Sequence, residues 1–316
     1  MNIIVFASPG IMGPYVFFGL AERKKEKIQY LVLPLTKHSI SSDELIAVAA
    51  HAHVPYLAPK SLTDAAFIEQ LRNAKPDLII VSSYDTKIPP AIRTIPKYGA
   101  VNLHPSLLPK YRGACPEFWA IRNGDGETGV TLHYLSDTFD SGDIIAQERI
   151  PLDLCETLGS LLYKVGRTSL ELIGSFLDML HENKPVARRR QDDANATKAP
   201  LVGQNDLRIN WHESATAICN LIRAGNPLGG AWTLFRGYQL KIWYAVPLAY
   251  DDYVNAETAR NTAPGTLHVD TINNRILVTT GEGLVHITAV QYALFFIMDG
   301  WNFALQAHTK SGESIE

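Results

Sequence analysis

Residues 101–113 read VNLHPSLLPKYRG. The mostly apolar residues Gly99–Leu103 predict a buried β-strand that leads into this stretch. Asn102 and His104 stand two residues apart, so both side chains project from the same side of the strand. Pro105 ends the hydrogen-bonding ladder and begins a rigid loop. The stretch therefore delivers an amide and an imidazole to the end of a buried strand.

A carboxylate follows in a later loop. Residues 129–135 are typical of a further strand, and the loop after it carries Asp140-Ser141-Gly142. An amide, an imidazole and a carboxylate are the groups needed to hold an oxyanion and to move a proton. A carboxylate beside His104 would favour the charged imidazolium. Each residue alone has an ordinary structural use, but their coincidence predicts a catalytic centre of Asn102, His104 and Asp140.

Outward from this centre, predicted strands and helices alternate along the first half of the chain. The predicted strands are Asn2–Ala7, Ile28–Pro34, Asp77–Ser82 and Gly99–Leu103, and the predicted helices are Pro14–Glu22, Asp43–His51 and Ala65–Asn73. This alternation predicts an α/β fold with a doubly wound, mostly parallel, Rossmann-like sheet. Ligands of such sheets bind beyond the carboxyl ends of the strands, where His104 emerges. No Gly-x-Gly-x-x-Gly follows the first strand, so dinucleotide binding is not inferred.

The length of 316 residues favours two domains. Helical apolar spacing over Glu156–Leu180 predicts a long helix that closes a first, catalytic domain of residues 1–185. The charge-rich residues 186–205, which include three consecutive arginines, predict a solvated linker. Residues 206–316 combine short strands, turn signals and one amphipathic helix, Ser214–Ala224, which is typical of a small β-barrel domain.

Bulk properties restrict the class of protein. The formal net charge is -3, so the chain lacks the excess of basic residues that is typical of a general nucleic-acid binder. Three widely spaced cysteines are typical of reduced thiols in a cytoplasmic protein. No apolar run has the length of a membrane span, so no membrane association is expected. The pair His51 and His53 has no accompanying cysteine or carboxylate cluster, and no metal site is predicted.

The motif Asn102-x-His104-x-Ser106-Leu107-Leu108-Pro109, with Asp140-Ser141-Gly142 downstream, resembles the signature of the folate-dependent formyltransferases. The landmarks Ile209-Asn210-Trp211 and Asn226-Pro227 extend the resemblance into the second domain. It implies transfer of a formyl group from 10-formyltetrahydrofolate to a primary amine through a tetrahedral intermediate, and an OB-like C-terminal barrel. It also implies that Asn102 supports the oxyanion, His104 performs acid–base work and Asp140 tunes the histidine.

The resemblance further implies where the folate and the acceptor bind. The folate residues would belong to the loop before the catalytic strand, the motif turn and the loop that bears Asp140; they are Thr86, Lys87, Ile88, Ser106, Leu107, Leu108, Pro109, Ser136, Asp137, Thr138 and Phe139. The acceptor residues would be Ser8, Pro9, Gly10, Met12, Tyr111 and Arg112. The loop after the first strand also fits a simple turn between a strand and a helix.

The acceptor amine separates members of this family. Methionyl-tRNA formyltransferases use a basic insertion after the second strand, whereas residues 35–44 here, LTKHSISSDE, are short and nearly uncharged. Their Gly-Thr-Pro turn is replaced by Ser8-Pro9-Gly10, so tRNA is disfavoured. The formyltransferase of UDP-4-amino-4-deoxy-L-arabinose shares the Leu-Pro-Lys-Tyr-Arg-Gly run but has an arginine in place of Ala114.

We therefore expect a small-molecule amine as the partner, with a nucleotide-linked amino sugar in first place. Three alternatives stay open. They are a methionyl-tRNA formyltransferase, an enzyme that formylates an amino acid derivative such as hydroxyornithine, and a formyltetrahydrofolate hydrolase or folate-binding relative. The sequence leaves the oligomeric state open.

Overall fold

The computed structural model of the protein describes residues 1–10, 12–34, 40–293 and 295–316. These residues divide into two compact units. The first consists of Met1–Pro116, Glu127–Pro151 and Leu161–Pro200, and the second of Glu117–Gly126, Leu152–Ser160 and Leu201–Glu316. Each unit is therefore assembled from three separate stretches of chain.

The first unit is built on a seven-stranded sheet with the order β3-β2-β1-β4-β5-β7-β8. The strands of residues 1–200 are β1 Asn2–Ala7, β2 Lys27–Val32, β3 Tyr56–Leu57, β4 Leu78–Ser82, β5 Ala100–His104, β6 Arg112–Gly113, β7 Glu127–Tyr134, β8 Ile144–Pro151 and β9 Lys198–Ala199. The first five strands of the sheet are parallel, and β7 and β8 are antiparallel. The prediction of a doubly wound, mostly parallel sheet is confirmed.

Helices connect the strands of this sheet. The helices of residues 1–200 are α1 Met12–Ala21, α2 Ile40–His51, α3 Ala65–Asn73, α4 Pro90–Arg93, α5 Pro116–Arg122 and α6 Leu158–His181. Asp64 caps α3 by accepting a hydrogen bond from the Phe67 N–H, which satisfies one of the free amides of the first turn. Residues 35–39, which open the nearly uncharged segment 35–44, lie outside the described residues.

The core of the first unit lies on both faces of its central strands. Ile3–Ala7 are completely buried, as expected for a parallel strand covered on both faces. Phe6 packs in a cluster with Phe67 of α3 and Ile92 of α4, and each such apolar side chain contributes about 1.5–3 kcal/mol by leaving water. This rigid support holds the carboxyl ends of β4 and β5, where the predicted catalytic residues begin.

The segment predicted to be a solvated linker has mostly exposed side chains, and its backbone is also bound to the first unit. Residues 186–200 belong to the first unit, and Gln191 is 6% exposed. Arg189 and Ile144 exchange two backbone hydrogen bonds of 2.8 and 2.9 Å, and β9 pairs with β6. Most of these side chains are exposed, as the charge-rich composition suggested, and backbone groups of neighbouring loops bind the segment in addition.

The second unit contains an antiparallel sheet with the order β10-β11-β14-β13-β12, and β15 pairs with β14. Its strands are β10 Ala231–Phe235, β11 Tyr238–Leu248, β12 Leu267–Asp270, β13 Arg275–Thr279, β14 Leu284–Tyr292 and β15 Met298–Asp299, and its further helices are α7 Ala215–Ala224, α8 Ala256–Arg260 and α9 Gly300–Gln306. The sequence predicted one helix in this unit, Ser214–Ala224, which corresponds to α7. Helices α8 and α9 were not predicted.

The C-terminal residues join the two edges of this sheet. Ile315 bridges to Phe235 of β10, and Ser314 bridges to Thr266, which precedes β12. Leu234 and Glu316 exchange backbone hydrogen bonds of 2.9 and 3.0 Å. This contact satisfies polar groups that an open edge strand would leave unpaired. Among the described helices of either unit, none is long and apolar enough to cross a membrane.

Candidate active site

The register between β5 and β7 places two side chains opposite each other at the carboxyl end of the sheet. Asn102 of β5 pairs with His133 of β7, and His104 pairs with Thr131. The Asn102 Nδ2 lies 3.1 Å from the His133 Nε2. Asn102 therefore contacts an imidazole from a strand that the sequence motif does not include.

His133 is a neutral base in this arrangement. It is 1% exposed, and burial, with a smaller contribution from the charge of His104, lowers its pKa to about 4. Its Nδ1–H donates to the Tyr134 carbonyl oxygen at 2.9 Å, which leaves the Nε2 lone pair to accept from the Asn102 amide. His133 therefore fixes the direction of the Asn102 side chain.

Asp140 brings a carboxylate to the same point. Its Oδ2 accepts the Gly113 N–H at 2.9 Å. Its Oδ1 lies 3.5 Å from the Asn102 Nδ2 and 3.5 Å from the His104 Nδ1. Asp140 has a φ of 55°, a left-handed conformation that costs a non-glycine residue free energy and needs support from its surroundings.

His104 is held through both ring nitrogens. Its Nε2 donates to the Tyr111 carbonyl oxygen at 2.8 Å, and its Nδ1 faces Asp140. Only 3% of the residue is exposed. Because Nε2 carries the proton for Tyr111, any further proton on this ring binds at Nδ1, beside the carboxylate. The three residues predicted to be catalytic are thus brought together, with His133 as a fourth member.

Sequence reasoning missed His133. The residue stands on a strand of mixed polar and apolar side chains, ETGVTLHY, so in the sequence it resembles an ordinary strand histidine. Nothing in this local pattern distinguishes it from the polar residues beside it. Its pairing with Asn102 depends on the register between two strands, which local sequence does not determine.

A pocket opens next to these groups. It is lined by Val81, Tyr84, Thr86, Lys87, Ile88, Asn102, His133, Leu135, Ser136, Thr138, Phe139 and Asp140. Six of the residues predicted to contact the folate therefore line the pocket, in two loops on either side of Asn102. Asp137 does not, because it is exposed and pairs with Arg93 at 2.6 Å.

The structure places the motif turn, residues 106–109, outside this pocket. The Ser106 hydroxyl donates to the Lys110 carbonyl oxygen at 2.6 Å, and the Leu108 N–H donates to the Thr131 hydroxyl at 3.1 Å. Leu108 is 2% exposed. Ser106 and Leu108 are buried, Leu107 and Pro109 are partly exposed, and none of the four lines the pocket. The turn fixes the chain after His104.

The residues predicted to contact the acceptor also lie outside the pocket lining. Met12 is 4% exposed, so its side chain is part of the core, and Ser8-Pro9-Gly10 form the turn between β1 and α1. At Gly13 a Cβ atom would approach the Ser8 carbonyl oxygen to 2.2 Å, which explains a glycine there. Tyr111 contributes its carbonyl to His104.

Arg112 contacts other protein groups. Its guanidinium donates to the Gln191 side chain and, at 2.8 Å, to Asp193. Across the described residues, no group of three or more histidine, cysteine or acidic side chains is placed to hold a metal ion.

The chain matches two family models along most of its length. The model described as formyl transferase matches residues 18–173, and the model described as formyl transferase, C-terminal domain, matches residues 202–307. The chain belongs to the formyltransferase family. The first match contains the complete group of Asn102, His104, His133 and Asp140, so the site described above lies within the matched region. The family indicated by the sequence motif is confirmed.

Two curated relatives of this formyltransferase are both named methionyl-tRNA formyltransferase. A methionyl-tRNA formyltransferase of Pelotomaculum thermopropionicum is 37% identical over 77% of this chain and 75% of the relative. A methionyl-tRNA formyltransferase of Halothermothrix orenii is 29% identical over the full length of both chains. These similarities extend from the catalytic unit into the second unit.

Solved structures share the fold at lower identity. HypX from Aquifex aeolicus in complex with tetrahydrofolic acid superposes with a TM-score of 0.65 and 20% identity over 99% of this chain and 48% of that chain. An N-formyltransferase from Helicobacter canadensis in complex with folinic acid and dTDP-3-aminofucose superposes with a TM-score of 0.65 and 17% identity over 92% of this chain and 100% of that chain. At these identities the likeness establishes the fold.

Proposed function

We propose that this formyltransferase transfers the formyl group of 10-formyltetrahydrofolate to a primary amine. The observation that carries the proposal is the convergence of Asn102, His133 and Asp140 at one wall of the pocket. The opposite loops supply apolar side chains at Ile88 and Leu135 beside polar ones. A wall of this mixed character fits a flat, partly polar ring such as a pterin.

Asn102 supplies the hydrogen bond that the transfer requires. When bound, 10-formyltetrahydrofolate supplies a formyl carbon that an amine can attack, and negative charge then develops on the formyl oxygen. One N–H of the Asn102 amide is engaged by His133, and the other reaches Asp140 only at 3.5 Å. That second N–H makes at most a weak hydrogen bond to Asp140 and is therefore available to donate to the formyl oxygen.

Asp140 and His104 move the proton. The attacking nitrogen must lose a proton and the folate nitrogen must gain one, while the new C–N bond forms and the old one breaks. Asp140 Oδ1 lies at the pocket wall, and His104 Nδ1 is directly behind it at 3.5 Å. The pair can therefore accept a proton from the amine and return it to the leaving nitrogen.

For the acceptor we propose a small-molecule amine, with a nucleotide-linked amino sugar as the first candidate. Residues 35–44 contain one lysine against one aspartate and one glutamate, and the whole chain has a net charge of -3. A protein that binds a tRNA backbone uses clustered cations to neutralise phosphates. Recognition of a sugar nucleotide by a fold relative is consistent with this acceptor class.

Charged initiator tRNA is the second candidate, because relatives up to 37% identical are named methionyl-tRNA formyltransferase. An amino acid derivative such as hydroxyornithine is a further small-molecule candidate. A hydrolytic relative would release formate without any amine. These candidates differ in the fate of the formyl group and can be separated in one assay.

The assay presents the full-length protein with 10-formyltetrahydrofolate and a panel of acceptors. The panel contains nucleotide-linked amino sugars, hydroxyornithine and methionylated initiator tRNA, and mass spectrometry detects the formylated product. The Asn102→Ala variant is the matched control for transfer that does not use the site. Efficient formylation of a sugar nucleotide supports the proposal; efficient formylation of the tRNA overturns the acceptor assignment. Formate release without acceptor overturns the transferase proposal.

A further inference from the structure

Residues 189–199 return to the active site after helix α6 and bind the loops that carry its catalytic groups. The Thr197 hydroxyl accepts the Tyr111 N–H at 2.8 Å, and β9 pairs with β6 in parallel. Tyr111 provides the carbonyl that binds His104, and Gly113 provides the N–H that binds Asp140. Both backbone contacts of the catalytic pair are therefore held in place by this segment.

Gln191 is the side chain of this segment that reaches furthest into the site. Its Nε2 donates to the carbonyl oxygens of Asp140 at 2.8 Å and Gly142 at 2.7 Å. Its Oε1 accepts from the Nε and Nη2 of Arg112 at 3.1 and 2.8 Å. The amide thus makes four hydrogen bonds, and all of them connect the Asp140 loop with the chain next to Gly113.

The Asp140 loop needs such an external support. Asp140 adopts a left-handed φ of 55°, which a non-glycine residue holds only when its surroundings fix it. Gly142 lies so close to the Tyr134 carbonyl oxygen that a Cβ atom would stand 1.8 Å away from it. The loop conformation is therefore tight on one side and unfavourable at Asp140 itself.

The distances between the Asp140 carboxylate and its neighbours show why the position of the Asp140 loop matters for function. The carboxylate of Asp140 stands 3.5 Å from both Asn102 and His104. A hydrogen bond at this separation is already at its limit, so a small outward shift of the loop removes it. Gln191 contacts the loop through two backbone carbonyls on either side of Ser141, which fixes both its position and its orientation.

We propose that Gln191 is a positioning residue of the active site, which holds the Asp140 carboxylate in line with Asn102 and His104. Arg112 completes the arrangement by fixing the Gln191 amide. The inference rests on the function proposed above, because it assigns Gln191 a role through Asp140. Residues 189–199, which have the composition of a linker, would accordingly be a component of the catalytic site.

The sharpest test is Gln191→Glu, which keeps the shape of the side chain and its contact with Arg112 but removes both hydrogen bonds to the loop. The chain offers a matched control in Gln147→Glu. Gln147 also accepts from an arginine, Arg189, and its Nε2 also donates two bonds, to Leu108 and Thr131, each of 2.9 Å. Both variants remove the donor groups of a hydrogen-bonded side-chain amide, but only Gln191 contacts the Asp140 loop.

We expect kcat of the Gln191→Glu protein to fall about 30- to 100-fold, as for a catalytic group displaced by about 1 Å. KM for the folate should change by less than about threefold, because Gln191 does not line the pocket. In Gln147→Glu both constants should stay within about twofold of the parent. Equal losses of kcat in the two variants, or a normal kcat in Gln191→Glu, would overturn the proposal.

Amide hydrogen exchange provides a readout that does not depend on activity. The Gly113 N–H is protected by Asp140 Oδ2, so its exchange should accelerate in Gln191→Glu and stay unchanged in Gln147→Glu. Unchanged exchange in both variants contradicts the positioning role, whatever the acceptor is. A parent protein that formylates no amine but shows this exchange pattern would refute the proposed function and keep the loop support.

A second variant covers the case in which Gln191→Glu fails to fold. Arg112→Lys keeps a positive charge but loses the two-pronged contact with the Gln191 amide. It should lower kcat about threefold to tenfold with little change in KM, because the amide keeps its bonds to the loop but loses its own support. An unchanged kcat in this variant contradicts the role of Arg112 and, with it, the proposed arrangement.

Discussion

The low pKa of His133 predicts a specific loss of stability in mild acid. The unfolded chain binds a proton at this imidazole as the pH falls through 6.5, whereas the folded protein does so only near pH 4. The free energy of unfolding therefore contains the full contribution of neutral His133 above pH 6.5, and this contribution is lost as the pH falls towards 4. At pH 5 the loss amounts to about 2 kcal/mol, and it approaches about 3 kcal/mol near pH 4.

The measurement compares the protein with its His133→Gln variant, whose side-chain oxygen can still accept the Asn102 N–H but does not titrate. Urea unfolding followed by far-ultraviolet circular dichroism gives the free energy of unfolding at pH 7 and pH 5. Burial also lowers the pKa of His268 and His286. Their contributions are common to both proteins and cancel in the comparison, so the parent should lose about 2 kcal/mol more than the variant.

Histidine NMR titration provides an independent measurement on the parent. The resonance that disappears in His133→Gln belongs to His133, and it should titrate near pH 4. A midpoint near 6.5 for this resonance would refute the reasoning. Equal losses of stability in parent and variant between pH 7 and pH 5 would also refute the reasoning. The pH dependence of the free energy of unfolding would then come from groups other than His133.

Three further predictions concern the site and the second unit. His104→Ala and Asp140→Asn should each lower kcat by about 10²- to 10⁴-fold while folate affinity stays within a few-fold, as measured by steady-state kinetics and equilibrium titration; near-normal turnover in either variant contradicts the assigned roles. Gly142→Ala should destabilise the protein by about 1–3 kcal/mol in urea unfolding, because its Cβ would stand 1.8 Å from a backbone oxygen. Gly126→Ala is its control, since nothing lies within 4 Å of that position, and equal stabilities of the two variants would contradict the packing argument. Removal of Ser314–Glu316 should lower the free energy of unfolding by about 3 kcal/mol, since it exposes two strand edges and the site of Ile315; an unchanged calorimetric transition would show that the edges need no cover.

Sequence alone predicted the parts of the site that local spacing controls. Asn102 and His104 emerge together because alternate residues of a strand share one face. Asp140 could be recognised because it belongs to a short motif in a loop that follows a strand. The buried apolar runs likewise predicted the central strands, since few other structures can bury such runs completely.

The missed residues depend on contacts between distant segments. His133 joins the site through the register of β5 and β7. Gln191 joins it through the return of the chain 51 residues after Asp140. Most side chains of the segment that contains Gln191 are exposed, as its charge suggested. Its backbone and the Gln191 amide also bind backbone groups of other loops, which composition does not reveal. The residues of the motif turn do not line the pocket for a related reason: their spacing identifies the family, but it does not tell which side chains face a ligand.

The interleaving of the two units has a consequence for the gene. Stretches 117–126 and 152–160 belong to the second unit but are encoded between stretches of the first. A recombination event with one crossover therefore cannot exchange either unit intact, and a stop codon after residue 185 would remove Gln191 and β9 while it left two pieces of the second unit behind. Libraries that swap acceptor preferences between homologous genes should accordingly place their junctions at both borders of these short stretches as well as near residue 200.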